Sequence, residues 1–117
     1  MNHTQAAIAT VCARRGVAER EILSPMRDRS VSWPRQEAQF ILKKLTKKSL
    51  PAIGREFGRD HTTVIHSLGA VAVRMQNDAY RGEIEDMIRE VRQKTGAFTS
   101  RREQRAAVFK STRKLID

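Results

Sequence analysis

Apolar residues recur at intervals of three and four along nearly the whole chain, and nowhere do they alternate with polar ones long enough for a half-buried strand. A helix repeats about every 3.6 residues and a strand every ~2, so this spacing predicts an all-α fold. The 117 residues suffice for one modest hydrophobic core.

Glycine, proline and capping residues divide the pattern into helices. The first is expected over about Thr4 to Arg15, capped by Thr4, with Ile8, Val11 and Cys12 on one stripe and Gly16 as the stop. A short helical turn over Val17 to Leu23 follows, and Pro25 then breaks the chain. Ser30 or Ser32 is the expected cap of a third helix, with Pro34 in its first turn and Ala38, Ile41, Leu42 and Leu45 facing inward. Ser49 caps a helix of about two turns that carries Pro51 near its start and ends at Gly58. Asp60 caps a longer helix, about His61 to Gln76, with Val64, Leu68, Val71 and Met75 inside. A last helix, about Ala79 to Lys94, buries Tyr80, Ile84, Met87, Ile88 and Val91 and closes at Gly96. Residues 1–96 are expected to form the domain. Residues 97–117 carry six basic residues against two acidic and form a cationic appendage, either a frayed helix docking Val108, Phe109 and Leu115 or an arm that orders on DNA.

Charge narrows the function. There are 23 Lys and Arg against 13 Asp and Glu, a formal net charge of +10, which points to a polyanionic partner and first to nucleic acid. A membrane-surface peptide would gather its leucines and aromatics opposite one cationic face, whereas here they are spread over several core-like segments. No stretch approaches the ~18 apolar residues that span a bilayer, and the N-terminus lacks a signal-peptide pattern, so a cytoplasmic, nucleoid-associated protein is expected. The single cysteine, Cys12, excludes an internal disulfide and a cysteine zinc cluster and reads as a small buried hydrophobe. His61 and His66 are five residues apart and fall on different sides of a helix, unlike a helical metal pair. The chain shows no GxxxxGK[ST] phosphate loop, and Ser67, His66 and Asp60 lack a nucleophile elbow, so neither enzyme activity nor a metal or other cofactor is expected.

A short helix, a turn at Gly58, Arg59 and Asp60, and a longer helix have the form of a helix-turn-helix. In that motif the first residues of the second helix meet base edges in the major groove. His61, Thr62, Thr63 and His66 fall on the outward side, and their hydroxyls, methyls and ring nitrogens suit donor, acceptor and thymine-methyl edges. Asp60 has two compatible uses, capping the helix and accepting from a cytosine amino group.

The run SLPAIGREFGRDHTTVIHSL resembles the signature of the C-terminal DNA-binding domain of the bacterial replication initiator DnaA, and RDRSVSWPRQEAQFILKKLTKKSLPAIG extends the resemblance back toward Gln5. It implies a Trp-repressor-like helix-turn-helix that binds a short asymmetric duplex element, the DnaA box, as a monomer. It also implies base reading by Asp60, His61, Thr62 and Thr63, with His66 nearby, and insertion of Arg27 into the adjacent minor groove. The DNA backbone would be held by Arg29, Arg35, Gln36, Lys43, Lys48, Ser49, Leu50, Pro51 and Arg59, through side chains or exposed helix-start amides. One glycine, Gly58, stands before RDH where many members carry two, and Trp33 takes a position often basic or small, where it is expected to pack into the core, with packing of the loop or contact with a sugar as the alternative.

The expectation is a sequence-specific double-stranded DNA-binding protein that regulates transcription or modulates replication initiation. The alternatives are an adaptor that binds a replication or transcription protein and a nonspecific nucleoid protein driven by the tail. Self-association through Val108, Phe109 and Leu115 stays open.

Overall fold

The computed structural model describes residues 2–96, and the sequence-based expectations for residues 97–117 lie outside the described residues. The helices are α1 (His3–Arg15), α2 (Glu19–Ile22), α3 (Arg29–Leu45), α4 (Leu50–Phe57), α5 (His61–Arg74) and α6 (Asp78–Lys94). Among the described residues there is no strand, as the periodicity predicts.

The long helix α3 touches all five others and forms the axis of the bundle. Its residues Ala38, Ile41 and Leu42 meet Ala6, Ala7 and Val11 of α1, Ile53 and Phe57 of α4, Val64 and Val71 of α5, and Ile84, Met87 and Val91 of α6 in one core. Each fully buried side chain of the Ile, Leu, Phe or Met kind contributes about 1.5–3 kcal/mol, so this cluster is the main stabilising term. Cys12 is buried within it, and burial, followed by Glu19 and Glu21, pushes its thiol up to about 11, which keeps it protonated and unreactive.

A polar tie crosses the core. Glu37 of α3, 1% exposed, accepts from Arg15 of α1 at 2.9 and 2.8 Å and from the Tyr80 hydroxyl of α6 at 2.6 Å. Burial of this carboxylate is tolerated because a guanidinium fork and a phenol occupy its oxygens.

Three helix starts differ from expectation. Asn2, not Thr4, caps α1 by accepting from the Gln5 amide at 2.8 Å, while the Thr4 hydroxyl donates to Glu56 at 2.7 Å. Helix α3 begins at Arg29, because the Val31 and Ser32 amides already donate to the Asp28 carbonyl at 2.9 and 2.7 Å. Pro34 therefore lies in its second turn; the Ser30 carbonyl that it cannot serve belongs to an exposed residue that water reaches. Asn77 caps α6 one residue earlier than the sequence suggests. Trp33, expected in the core, is 39% exposed and lies against the Arg74 guanidinium, 4.1 Å from ring centre to Cζ.

Candidate nucleic-acid interface

The helix-turn-helix is built by α4, a tight turn and α5. Ser49 accepts from the Ala52 amide at the start of α4, and Pro51 occupies its first turn. The helix ends in a Schellman closure: Gly58 takes φ 64°, its amide donates to the Arg55 carbonyl, and the Arg59 amide reaches the Gly54 carbonyl at 2.8 Å. One glycine in the left-handed region is enough to reverse the chain. The side chain of Asp60 then accepts from the Thr63 amide at 2.8 Å and starts α5. The Thr63 backbone and side-chain hydrogen bonds hold the Asp60 carboxyl below its ordinary range, so the cap is ionised at neutral pH.

On α5, Val64, Ser67 and Val71 are buried against the bundle, and Leu68 packs partly against it. His61, Thr62, Thr63 and His66 are all exposed on the first two turns. The same helical period that sends valines inward thus leaves two imidazoles and two hydroxyls exposed beside the Asp60-capped helix start.

Next to Thr63 lies a cavity of about 450 Å³ lined by Pro25, Arg27, Ser32, Arg35, Gln36, Arg59, Thr63 and Ser67. It brings together the loop residue Arg27, the α3 residues Arg35 and Gln36, the turn residue Arg59 and the α5 residue Thr63. Three guanidinium-bearing residues line it and no carboxylate among the described residues does, so the space favours an anion. Arg27 itself is exposed.

Arg35 does not match the expected phosphate contact. It is 5% exposed, and its guanidinium donates to the carbonyls of Ile22 at 2.6 Å, Ser24 at 2.9 Å and Glu21 at 3.2 Å. Burial and then the charge of Arg59 lower its pKa. Its donors hold the α2 end and the following loop. Arg59 is also engaged, donating to the Ser24 carbonyl at 2.8 Å. Gln36 accepts from Arg74 at 2.9 Å, and Arg29 starts α3 with its guanidinium 5.6 Å from the Trp33 ring centre.

The remaining expected backbone residues gather at the α3–α4 connection, where Lys43 donates from Nζ to the Lys48 carbonyl at 3.1 Å. Lys48 pairs with Glu56 at 2.9 Å, Ser49 caps α4, and Leu50 and Pro51 are its first two residues. Ser32 and Ser67, which line the cavity, were not legible as parts of this surface, nor was the stacked pair Trp33–Arg74, whose guanidinium donates to Gln36. Ser67 carries a weak signal, lying one helical turn beyond Thr63, to whose carbonyl its hydroxyl donates at 3.0 Å. The Trp33–Arg74 stack has none, since it joins distant parts of the chain.

Among the described residues no group of three His, Cys, Asp or Glu side chains is placed to hold a metal, and no helix is long and apolar enough to cross a membrane.

Comparison with known proteins agrees with this architecture. Residues 4–71 match the family model described as bacterial dnaA protein helix-turn-helix, a segment that covers more than half of the chain. The chain is 43% identical over 79 residues to the chromosomal replication initiator protein DnaA of Caulobacter vibrioides, an overlap of 66% of this chain and 16% of that protein. With the DnaA of Symbiobacterium thermophilum the identity is 48% over 68 residues, or 56% of this chain and 15% of that protein. With that of Caldanaerobacter subterraneus it is 34% over 83 residues, or 70% and 19%. The chain therefore spans less than a fifth of the length of these relatives. By the match from α1 into α5, it belongs to the bacterial DnaA helix-turn-helix family.

Proposed function

We propose that this protein binds double-stranded DNA sequence-specifically, at a DnaA-box-like asymmetric element, and acts there as a regulator of transcription or a modulator of replication initiation. The observation that carries the proposal is the exposed set His61, Thr62, Thr63 and His66 on the first turns of α5, directly behind the Asp60 cap. A scaffold without base readout has no use for that combination of exposed side chains at a helix start. Asp60 reads as well as caps, because a carboxylate offers about four lone-pair positions and the cap uses only some of them.

Arg27 enters the neighbouring minor groove, and the cationic cavity beside it faces the phosphates between the two grooves. Lys43, Lys48 and the exposed start of α4 at Ser49, Leu50 and Pro51 hold backbone, with Lys48 exchanging Glu56 for phosphate. Residues 1–96 are the recognition domain, and residues 97–117 add sequence-independent affinity through their charge. The role assigned to this chain is binding rather than catalysis.

Selection of bound sequences from a random duplex library at physiological salt, with the full chain, tests this. Enrichment of an asymmetric element of the DnaA-box kind is the expected result. Tight binding with no enrichment would overturn sequence-specific recognition and leave a nonspecific or adaptor role, and enrichment of a palindrome would replace the monomer with a symmetric dimer.

A further inference from the structure

One backbone oxygen in the fold receives two arginines. The Ser24 carbonyl accepts from Arg35 Nη2 at 2.9 Å and from Arg59 Nη2 at 2.8 Å. Arg35 belongs to α3, while Arg59 lies in the turn that introduces α5, immediately before the Asp60 cap. Ser24 in turn sits three residues before Arg27, in a segment already stiffened locally. Its hydroxyl donates to the Glu21 carbonyl at 2.6 Å and accepts from the Met26 amide at 3.2 Å, and Pro25 has a restricted φ. Arg27, Arg35, Arg59 and Thr63 all line the same cavity.

Bringing two guanidinium groups to one oxygen works against their mutual repulsion, and Arg35 is also stripped of water. A carbonyl on an exposed loop would ordinarily be satisfied by solvent. The convergence ties the segment that leads to Arg27 both to α3, through Arg35, and to the turn before α5, through Arg59. Arg59 completes the link by forking back, with Nη1 within 3.4 and 3.3 Å of the Phe57 and Gly58 carbonyls.

We propose that Arg59 is a positioning residue: by clamping the Ser24 carbonyl to the helix-turn-helix turn, it sets the distance between Arg27 and the start of α5, and so couples minor-groove to major-groove recognition. The inference rests on the proposed DNA-binding function and deepens it. It also replaces a direct phosphate contact as the main task of Arg59.

The test uses full-length wild type, Arg59→Ala, Arg59→Lys, Arg27→Ala and the Arg27→Ala/Arg59→Ala double variant, with thermal melting to confirm folding. In the free proteins, backbone order parameters of residues 26–28 are expected to fall in both Arg59 variants, because a lysine cannot reproduce the fork. Order parameters equal to wild type would overturn the clamp without any reference to DNA.

On the library-selected duplex, built with an A·T-rich or a G·C-rich adjoining minor groove, Arg59→Ala and Arg59→Lys are both expected to lose the wild-type preference between flanks. The double variant should bind within about twofold of Arg27→Ala alone, since the two residues act as one unit. Multiplying losses, or full rescue by Arg59→Lys, would mean that Arg59 acts through its own charge on phosphate and would overturn the coupling. If wild type enriches no duplex, the proposed function fails, and the order parameters still decide the clamp.

Discussion

The Arg59 amide donates to the Gly54 carbonyl at 2.8 Å, and the turn lies so close to α4 that a Cβ on Gly54 would collide with the Arg59 carbonyl oxygen and stand 3.3 Å from its carbonyl carbon. The approach is backbone against backbone, so no side chain can swing away. Gly54→Ala is therefore expected to destabilise the fold by about 1–3 kcal/mol, as overpacking of a close contact does. It should also shift the start of α5 and weaken specific DNA binding more than nonspecific binding. Gly58→Ala meets no such obstacle but must hold φ 64°, at a cost of about 1–2 kcal/mol. Chemical denaturation of both variants checks the pair, and a neutral Gly54→Ala would show that the turn has room to relax.

Much of this arrangement was legible in the sequence, for a local reason. Ser49, Pro51, Gly58 and Asp60 act on their own helix ends, so residue type and position carry the signal. The α5 stripe follows from the helical period, which turns Val64 and Val71 inward and leaves His61, Thr62 and His66 out. What failed was long-range partner choice. The resemblance gives Arg35 a phosphate contact, whereas in this structure three carbonyls around the α2 end hold its guanidinium. Trp33 looked like core, yet Arg74 offers its face a cation and leaves it at the surface. Asn2 takes the cap expected of Thr4, whose hydroxyl instead donates to Glu56, distant in sequence. None of these choices leaves a periodic or spacing signature.

His61 and Thr62 are exposed and make little of the fold. His61→Ala or Thr62→Ala should lower affinity for the selected site by about 1–3 kcal/mol while leaving nonspecific affinity and thermal stability nearly unchanged. Paired titrations of selected and scrambled duplex at one salt concentration measure this. Equal losses on both duplexes would remove these side chains from base readout.

Asp60 separates capping from reading. Asp60→Asn keeps an oxygen for the Thr63 amide and should preserve stability, whereas Asp60→Ala loses the cap and should lower the melting temperature. Both should alter preference at a single base pair, because neither retains an anionic acceptor for a cytosine amino group. The Asp60 carboxyl is held below its ordinary value by Thr63. Its stabilising contribution is therefore present above the unfolded carboxyl range and is lost as pH falls through the folded value. Asp60→Asn should lack that component of acid unfolding, which melting curves taken from neutral to strongly acidic pH would show.

Tyr80 predicts the alkaline limit. Burial, and then the hydrogen bond to Glu37, pushes its phenol up to about 12, while an unfolded tyrosine titrates near about 10. The folded state thus holds the proton more tightly, so this stabilisation is complete below the unfolded value and is lost as pH rises from about 10 to about 12. Tyr80→Phe removes one donor from the buried Glu37 and should cost about 1–2 kcal/mol at neutral pH while making alkaline unfolding less steep. An unchanged alkaline slope would mean that Tyr80 is not the group responsible.

Deletion of residues 97–117 removes six positive and two negative side chains and bears on how affinity is divided. If the tail lies along phosphate, deletion should weaken specific and random duplex alike and reduce the slope of log affinity against log salt, by about 0.9 for each phosphate that the tail neutralises. The preference for the selected site should survive, because α5 and Arg27 remain. An unchanged slope would take the tail off the DNA and leave self-association as the use of Val108, Phe109 and Leu115, which sedimentation of the full and shortened chains would then reveal as a difference in mass. A lost preference with an unchanged fold would make the tail part of the reading head itself, and the recognition domain would have to be extended beyond residue 96.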